Sequence, residues 1–169
     1  MKLKLSPYGI SSLIDNLEYL SDTINTAGGA IVDKLVDAGV ATAIKLNSSA
    51  PKSGKQDNVI SGRHSKNGKG GRVIMQGENA IYDEFGTGEY GAENPHPMKS
   101  QFALNDYNSG PIVSKNINKK GRHYWFYYGG YTEGIPSGKQ MYNTLQYLRK
   151  EKSKIAAREM KDALAIFKK

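Results

Sequence analysis

The sequence predicts an α+β fold: a long N-terminal helix and a long C-terminal helix packed on a small antiparallel β-sheet, with an extended hairpin and a long loop. Three observations predict it. Apolar residues recur at spacings of three and four near both ends of the chain, the period of a buried helix face. Between those ends, "VISGRHS" and "RVIMQ" are short, partly alternating segments that flank Asn67-Gly68, a strong hairpin signal. The centre is rich in Gly, Asn, Ser and Lys, so two core-building ends surround a loop-rich middle. At 169 residues the chain is long enough for one domain with a real core, and residues 1–169 read as a single unit.

The first helix is expected over residues 7–46. Ile10, Leu13, Ile14, Leu17, Leu20, Ile24, Ala27, Ile31 and Leu35 form one apolar stripe, with Ser6 as N-cap, Pro7 as first helical residue and Pro51 beyond the end. Gly28-Gly29 costs about 2 kcal/mol relative to alanines in a helix interior, so the pair marks a kink or the close approach of another backbone. The hairpin follows over residues 59–76, exposed and basic at its tip through Lys66 and Lys69, with Arg63 and Arg72 at its base. "NAIYDEFG" reads as a short helix closed by Gly86, Ile81 and Phe85 standing four apart. Residues 88–121 lack periodicity and read as a long flexible or partner-binding loop. The aromatic run "HYWFYYGGY" at 123–131 suits a strand contacted on both faces, and residues 139–168 form the second long helix.

Composition narrows the function. The chain has no cysteine, which excludes a disulfide framework, a zinc–thiolate site and a cysteine nucleophile. The basic start "MKLKLSP" lacks the apolar run of a signal peptide, and no stretch approaches the roughly 18 apolar residues of a membrane span. A soluble product of the cytoplasm, without membrane contact, is the expectation. The net charge of +8 favours polyanionic surroundings, nucleic acid or an acidic partner, although lysine-rich surfaces are also ordinary solubilising ones.

The most unusual stretch is "AIYDEFGTGEYGAENPHP", residues 80–97. An active site there would draw on Glu84, His96 and His123, but no histidine sits at a metal-ligand spacing and solitary loop histidines are usually hydrogen-bonded or exposed. A phosphate loop is disfavoured, because Asp83 and Glu84 precede the glycines and a proline-rich segment follows them where a helix is needed. Nucleic-acid binding has broader support. The basic tip, Lys115, Lys119, Lys120, Arg122 and the aromatic strand with Trp125 and Tyr127 combine charge with stacking side chains. The same elements, the tip Asn67-Gly68-Lys69 included, equally suit arms by which a subunit engages copies of itself. No cofactor is implied. Glu84-Phe85-Gly86-Thr87-Gly88 reads best as a fold-defining corner. Phe85 is expected in the core, the glycines permit tight turns, and Glu84 accepts backbone amides of the corner or pairs with a basic residue.

A resemblance then carries the functional expectation. "AIYDEFGTGEYG…HP", followed by "WFYY…TEGIPSGKQMYNTLQYL", resembles the tail-completion or neck proteins of tailed bacteriophages, the HK ninety-seven gp-ten-like family. The order of elements is similar over roughly residues 8–167. The specific matches are Tyr82, Glu84 to Gly88, His96-Pro97, Trp125, Gly134 to Pro136 and Met141-Tyr142. Where that family often reads Ala-Arg-Pro-Phe-Met before the last helix, this chain has Ser137-Gly138-Lys139-Gln140-Met141. The resemblance implies a non-enzymatic virion structural protein, made in the host cytoplasm and placed at the neck. It would form a ring, a hexamer by that likeness, beside connector, tail-terminator or tail-tube proteins, with DNA passing through the lumen. The alternative is a basic nucleic-acid-binding protein or nuclease of mobile-element origin.

Overall fold

Two antiparallel helices frame the molecule. A computed structural model describes residues 7–52, 58–98, 113–117, 121, 123–127 and 130–165. In chain order the elements are α1 (Pro7–Ser49), β1 (Val59–His64), β2 (Gly71–Gln76), α2 (Ala80–Phe85), α3 (Gly88–Glu93), β3 (Val113–Ile117), β4 (His123–Tyr127), β5 (Gly130–Thr132) and α4 (Gln140–Leu164). The long helices pack on the antiparallel β1–β2 hairpin, the α+β arrangement that the periodicities predict.

The apolar stripe of α1 builds the core only in its second part. Ala27, Val36 and Ala43 are the buried apolar residues of this part, Ala27 near the end of α4 and Val36 against the hairpin. Gly39 fixes how closely these elements approach. A β-carbon there would stand 2.7 Å from a methyl of Val73 and 3.1 Å from one of Leu148. Gly62 and Gly71 do the same on the strands, since a β-carbon on either would overlap Val36. Three glycines at one crossing therefore let a sheet and two helices share a thin layer of valine and leucine side chains. Earlier in α1 the stripe changes role: Ile14, Leu17 and Ile24 are exposed, at 50%, 56% and 44%. The period groups these residues on one face, but in this chain nothing among the described residues covers it.

α1 runs as one continuous helix through Gly28-Gly29. Another backbone does come close here. The hairpin lies along α1 and its tip crosses this point: Gly68, at φ +67°, would bring a β-carbon 3.5 Å from the Gly29 Cα. The tip keeps its shape through Asn67, whose side-chain oxygen accepts from the Ser65 hydroxyl and from the Lys69 N–H. His64 Nδ1 and Asp33 Oδ1, 2.7 Å apart, tie the hairpin to the helix near its end.

The middle of the chain is more ordered than the expected long loop. Residues 88–121 contain α3 and β3, and β3 joins β4 and β5 in a second, three-stranded antiparallel sheet, where a single sheet was expected. The aromatic run is accordingly a hairpin, with Trp125 opposite Thr132 and Tyr127 opposite Gly130. Periodicity misses both features because α3 is one and a half turns of "GEYGAE", with two glycines and no apolar stripe.

One local conflict stands out at the start of α4. Gln140 is fully buried, yet among the described residues neither its side-chain oxygen nor its nitrogen has a hydrogen-bond partner, and the oxygen of Asn47 is likewise unpaired there. Gln140→Met removes two unsatisfied buried atoms at nearly constant volume. It is expected to raise unfolding free energy by about 1 kcal/mol or more, measured by urea denaturation. A loss of stability would show that the amide is doing something other than filling space.

Candidate functional site

The site grows from the acidic pair on α2. The "AIYDEF" turn forms because Gly86, at φ +75°, ends it by donating its N–H to Tyr82 O at 2.8 Å. The turn directs Asp83 and Glu84 inward, and both are buried. Buried carboxylates need compensating donors, and here the donors come from three distant segments.

Glu84 caps α4 from outside that helix. Oε2 accepts from the Met141 N–H at 2.8 Å and Oε1 from the Tyr142 N–H at 2.9 Å. These are two of the amides that a helix leaves unpaired in its first turn, and the positive end of the helix dipole faces the same carboxylate. The chain itself offers no cap: the preceding Lys139 is left-handed at φ 55° and makes no capping side-chain bond. Lys139 is held in that conformation by its N–H to Glu84 O at 3.1 Å, and its ammonium reaches the side-chain oxygen of Asn94.

His96 completes the first carboxylate. Its Nε2 lies 3.0 Å from Glu84 Oε1, with the two side chains 2% and 7% exposed. The Met98 N–H donates to Nδ1 at 3.1 Å, so Nδ1 is the acceptor and Nε2–H the donor to Glu84. The ring also stacks at a tilt on Phe85, 4.2 Å between centroids, and meets Tyr142 edge-on at 5.4 Å. Asp83 is used in parallel: Asn58 Nδ2 donates to Oδ2 at 2.7 Å, and the Gly138 N–H donates to Asp83 O at 2.9 Å. The Ser137 hydroxyl donates to Glu84 O at 2.7 Å. Thr87 and Ile135 close the corner as an antiparallel bridge, exchanging N–H···O bonds at 2.8 and 3.2 Å.

The arrangement ties four segments of the chain together. Both oxygens of Glu84 and both nitrogens of His96 are committed to groups of the chain itself. Among the described residues, no group of three or more His, Asp or Glu side chains is placed to hold a metal ion. The His123 side chain, the third member of the catalytic constellation considered from sequence, lies outside what is described; its backbone sits on β4. The expectation that Glu84 accepts backbone amides holds, but the amides belong to α4 and not to the corner.

Phe85 departs from expectation. It is half-buried and forms one wall of an open apolar groove of about 610 Å³ between β2, α2 and α4, with Ile74, Ile81, Met98, Met141 and Leu145. On this short helix the consecutive carboxylates Asp83 and Glu84 face inward and the ring lies at the edge. Phe85→Ala is therefore expected to cost about 1–2 kcal/mol, below the ~3–5 kcal/mol of a fully enclosed aromatic, as read from the melting temperature. Gly86 and Thr87 are buried in the corner and Gly88, at φ +60°, opens α3.

The interface candidates divide. Asn67 and Lys69 are exposed at the hairpin tip, with Gly68 turned toward α1. Lys115 lies on β3, and Trp125 and Tyr127 lie on β4 of the second sheet. Lys119, Lys120 and Arg122 fall outside the described residues. Among the described residues no strand pairing joins the two sheets, so the tip and the aromatic strand belong to separate sheets. Sequence reasoning missed Asn58 and Ser137, for which no local pattern gives a signal. In comparisons with known proteins, the chain matches no family model, no curated protein and no solved structure.

Proposed function

We propose that this chain is a virion structural protein of a tailed bacteriophage or phage-like particle. In this reading it forms a ring at the head–tail junction that completes the tail and joins it to the head connector. The observation that supports the reading is convergence. The segments carrying the resemblance, Glu84 to Gly88, His96, Gly134 to Pro136 and Met141-Tyr142, are far apart in sequence and meet in one buried hydrogen-bond cluster. Motif residues whose bonding is spent on holding segments together suit a subunit that acts by assembly. The charge of +8 fits a lumen through which DNA passes, since such attraction is independent of base sequence.

The test is cryo-electron microscopy of particles produced with and without this chain. Ring density between tail and connector, with unjoined heads and tails on deletion, is the expected result. Particles that assemble and join normally without the chain would remove the proposal. DNA binding and cleavage would then be the next assays.

A further inference from the structure

The outer face of the β1–β2 hairpin carries a charge that the fold does not neutralise. Residues 59–76 contain Arg63, Lys66, Lys69 and Arg72 and no Asp or Glu. The two faces of the ribbon divide. A β-carbon on Gly62 or Gly71 would overlap Val36, so these positions face α1. Side chains alternate along a strand, so Arg63 and Arg72 point the opposite way, and both are exposed.

Arg63 and Arg72 are direct cross-strand partners. The Ser65 N–H donates to Gly70 O two positions nearer the tip, which makes 63 and 72 a hydrogen-bonded pair with Cα atoms about 5.5 Å apart. Like charges held opposite one another on a sheet are unfavourable, and no acid offsets these. None of Arg63, Lys66, Lys69 and Arg72 makes an ion pair among the described residues. The two arginines border an open hollow of about 440 Å³ with His64, Ser65, Gly70 and Gly71, where the glycines let a ligand come close to the main chain.

Four cationic groups in one row suit a polymer of anions. From the arginine pair to the tip is about three residues, roughly 10 Å at the strand rise, a length over which a nucleic-acid duplex presents about six phosphates. The tip, Ser65 to Gly70, has no apolar side chain to enter a bilayer, and residues 59–76 contain no Phe, Tyr or Trp on which an unpaired base would stack. The inner face is packed on α1, so the ribbon cannot enter a groove to read bases. We propose that the outer face of the β1–β2 hairpin, with Arg63 and Arg72 at its centre and Lys66 and Lys69 at its end, binds the phosphate backbone of a nucleic-acid duplex without regard to sequence. In the neck reading that duplex is the DNA of the lumen, but the site itself does not depend on a ring.

The test is fluorescence anisotropy of the full chain with a labelled DNA duplex of about 30 base pairs, titrated at salt concentrations between about 50 and 200 mM. Arg63→Gln with Arg72→Gln removes two phosphate contacts and should flatten the slope of log affinity against log salt by about 1.8. The change should be alike on two duplexes of unrelated sequence, with no fall in melting temperature. Arg63→Lys with Arg72→Lys should keep the wild-type slope, because the contact is one of charge. Arg149→Gln with Arg158→Gln removes the same charge from exposed positions of α4 and should leave the slope unchanged. A glutamine hairpin variant with the wild-type slope, an α4 variant that flattens it equally, or no duplex binding by the wild type at the lowest salt overturns the site. So does an arginine-dependent affinity for phosphatidylglycerol vesicles with none for the duplex. The ring is judged separately by microscopy. Ring density together with a slope that the hairpin variant does not move removes the site alone. A slope that it does flatten, in a chain that leaves no ring density, removes the neck reading alone.

Discussion

Glu84→Ala is expected to destabilise the protein by about 4 kcal/mol, because it orphans two helix-terminal amides and the buried His96 N–H together. For a chain of this length that corresponds to a fall in melting temperature of roughly 8–16 °C. Glu84→Gln should recover only part of the loss: the amide keeps one acceptor but presents a donor where an N–H already points. The sign of the effect separates two accounts of the same residue. A carboxylate kept for catalysis is commonly held at a cost in stability, so its removal leaves the fold unharmed or firmer. A carboxylate that caps a helix across the core takes the fold with it. Melting curves of wild type, Glu84→Ala and Glu84→Gln decide between them, and an alanine variant within about 1 kcal/mol of wild type would refute the structural account.

Gly86→Ala is the second large expected loss. Its φ of 75° with ψ of 167° lies in a region that side-chain-bearing residues scarcely enter. The new β-carbon would also lie 2.5 Å from the Ser137 N and 2.9 Å from the Ile135 O, both backbone atoms that cannot rotate away. Strain and displacement together should cost about 3 kcal/mol or more, and the Glu84 cap should loosen with them. Gly121 supplies the control. Its φ of 76° is similar, but a β-carbon there meets nothing within 4 Å. Gly121→Ala should therefore cost only the conformational part, about 1–2 kcal/mol. Equal losses at the two positions would show that close packing at the corner contributes nothing.

The two long helices, the hairpin and the short α2 were legible because each writes a local signal: a period of three and four, an Asn-Gly turn, a glycine after a helical pair. The corner was legible as a corner for the same reason. What its buried carboxylates hold was not, since Met141 and Tyr142 contribute main-chain amides, which any residue possesses and no sequence pattern advertises. His96 read as a solitary loop histidine because its partner lies 12 residues back on α2, at no ligand spacing. The stripe on α1 shows the opposite limit. Its period correctly groups Ile14, Leu17 and Ile24 on a face, but period alone does not say whether the covering surface belongs to the same chain.

The bridge between Thr87 and Ile135, with Asn94 against Lys139 and His96 against Glu84, has a bearing on how this protein can change over time. Gly134 meets the body of the fold against Thr87 and Gly88, and β3, β4 and β5 all fall in the 35 positions between Met98 and Gly134. The entropy of closing a flexible joint grows only with the logarithm of its length, and doubling such a joint costs about 0.6 kcal/mol. Length changes that leave β3, β4 and β5 intact are thus nearly free as far as the helices and hairpin are concerned. Related chains can be expected to differ most in that interval, in length before sequence, while the bridging residues stay fixed.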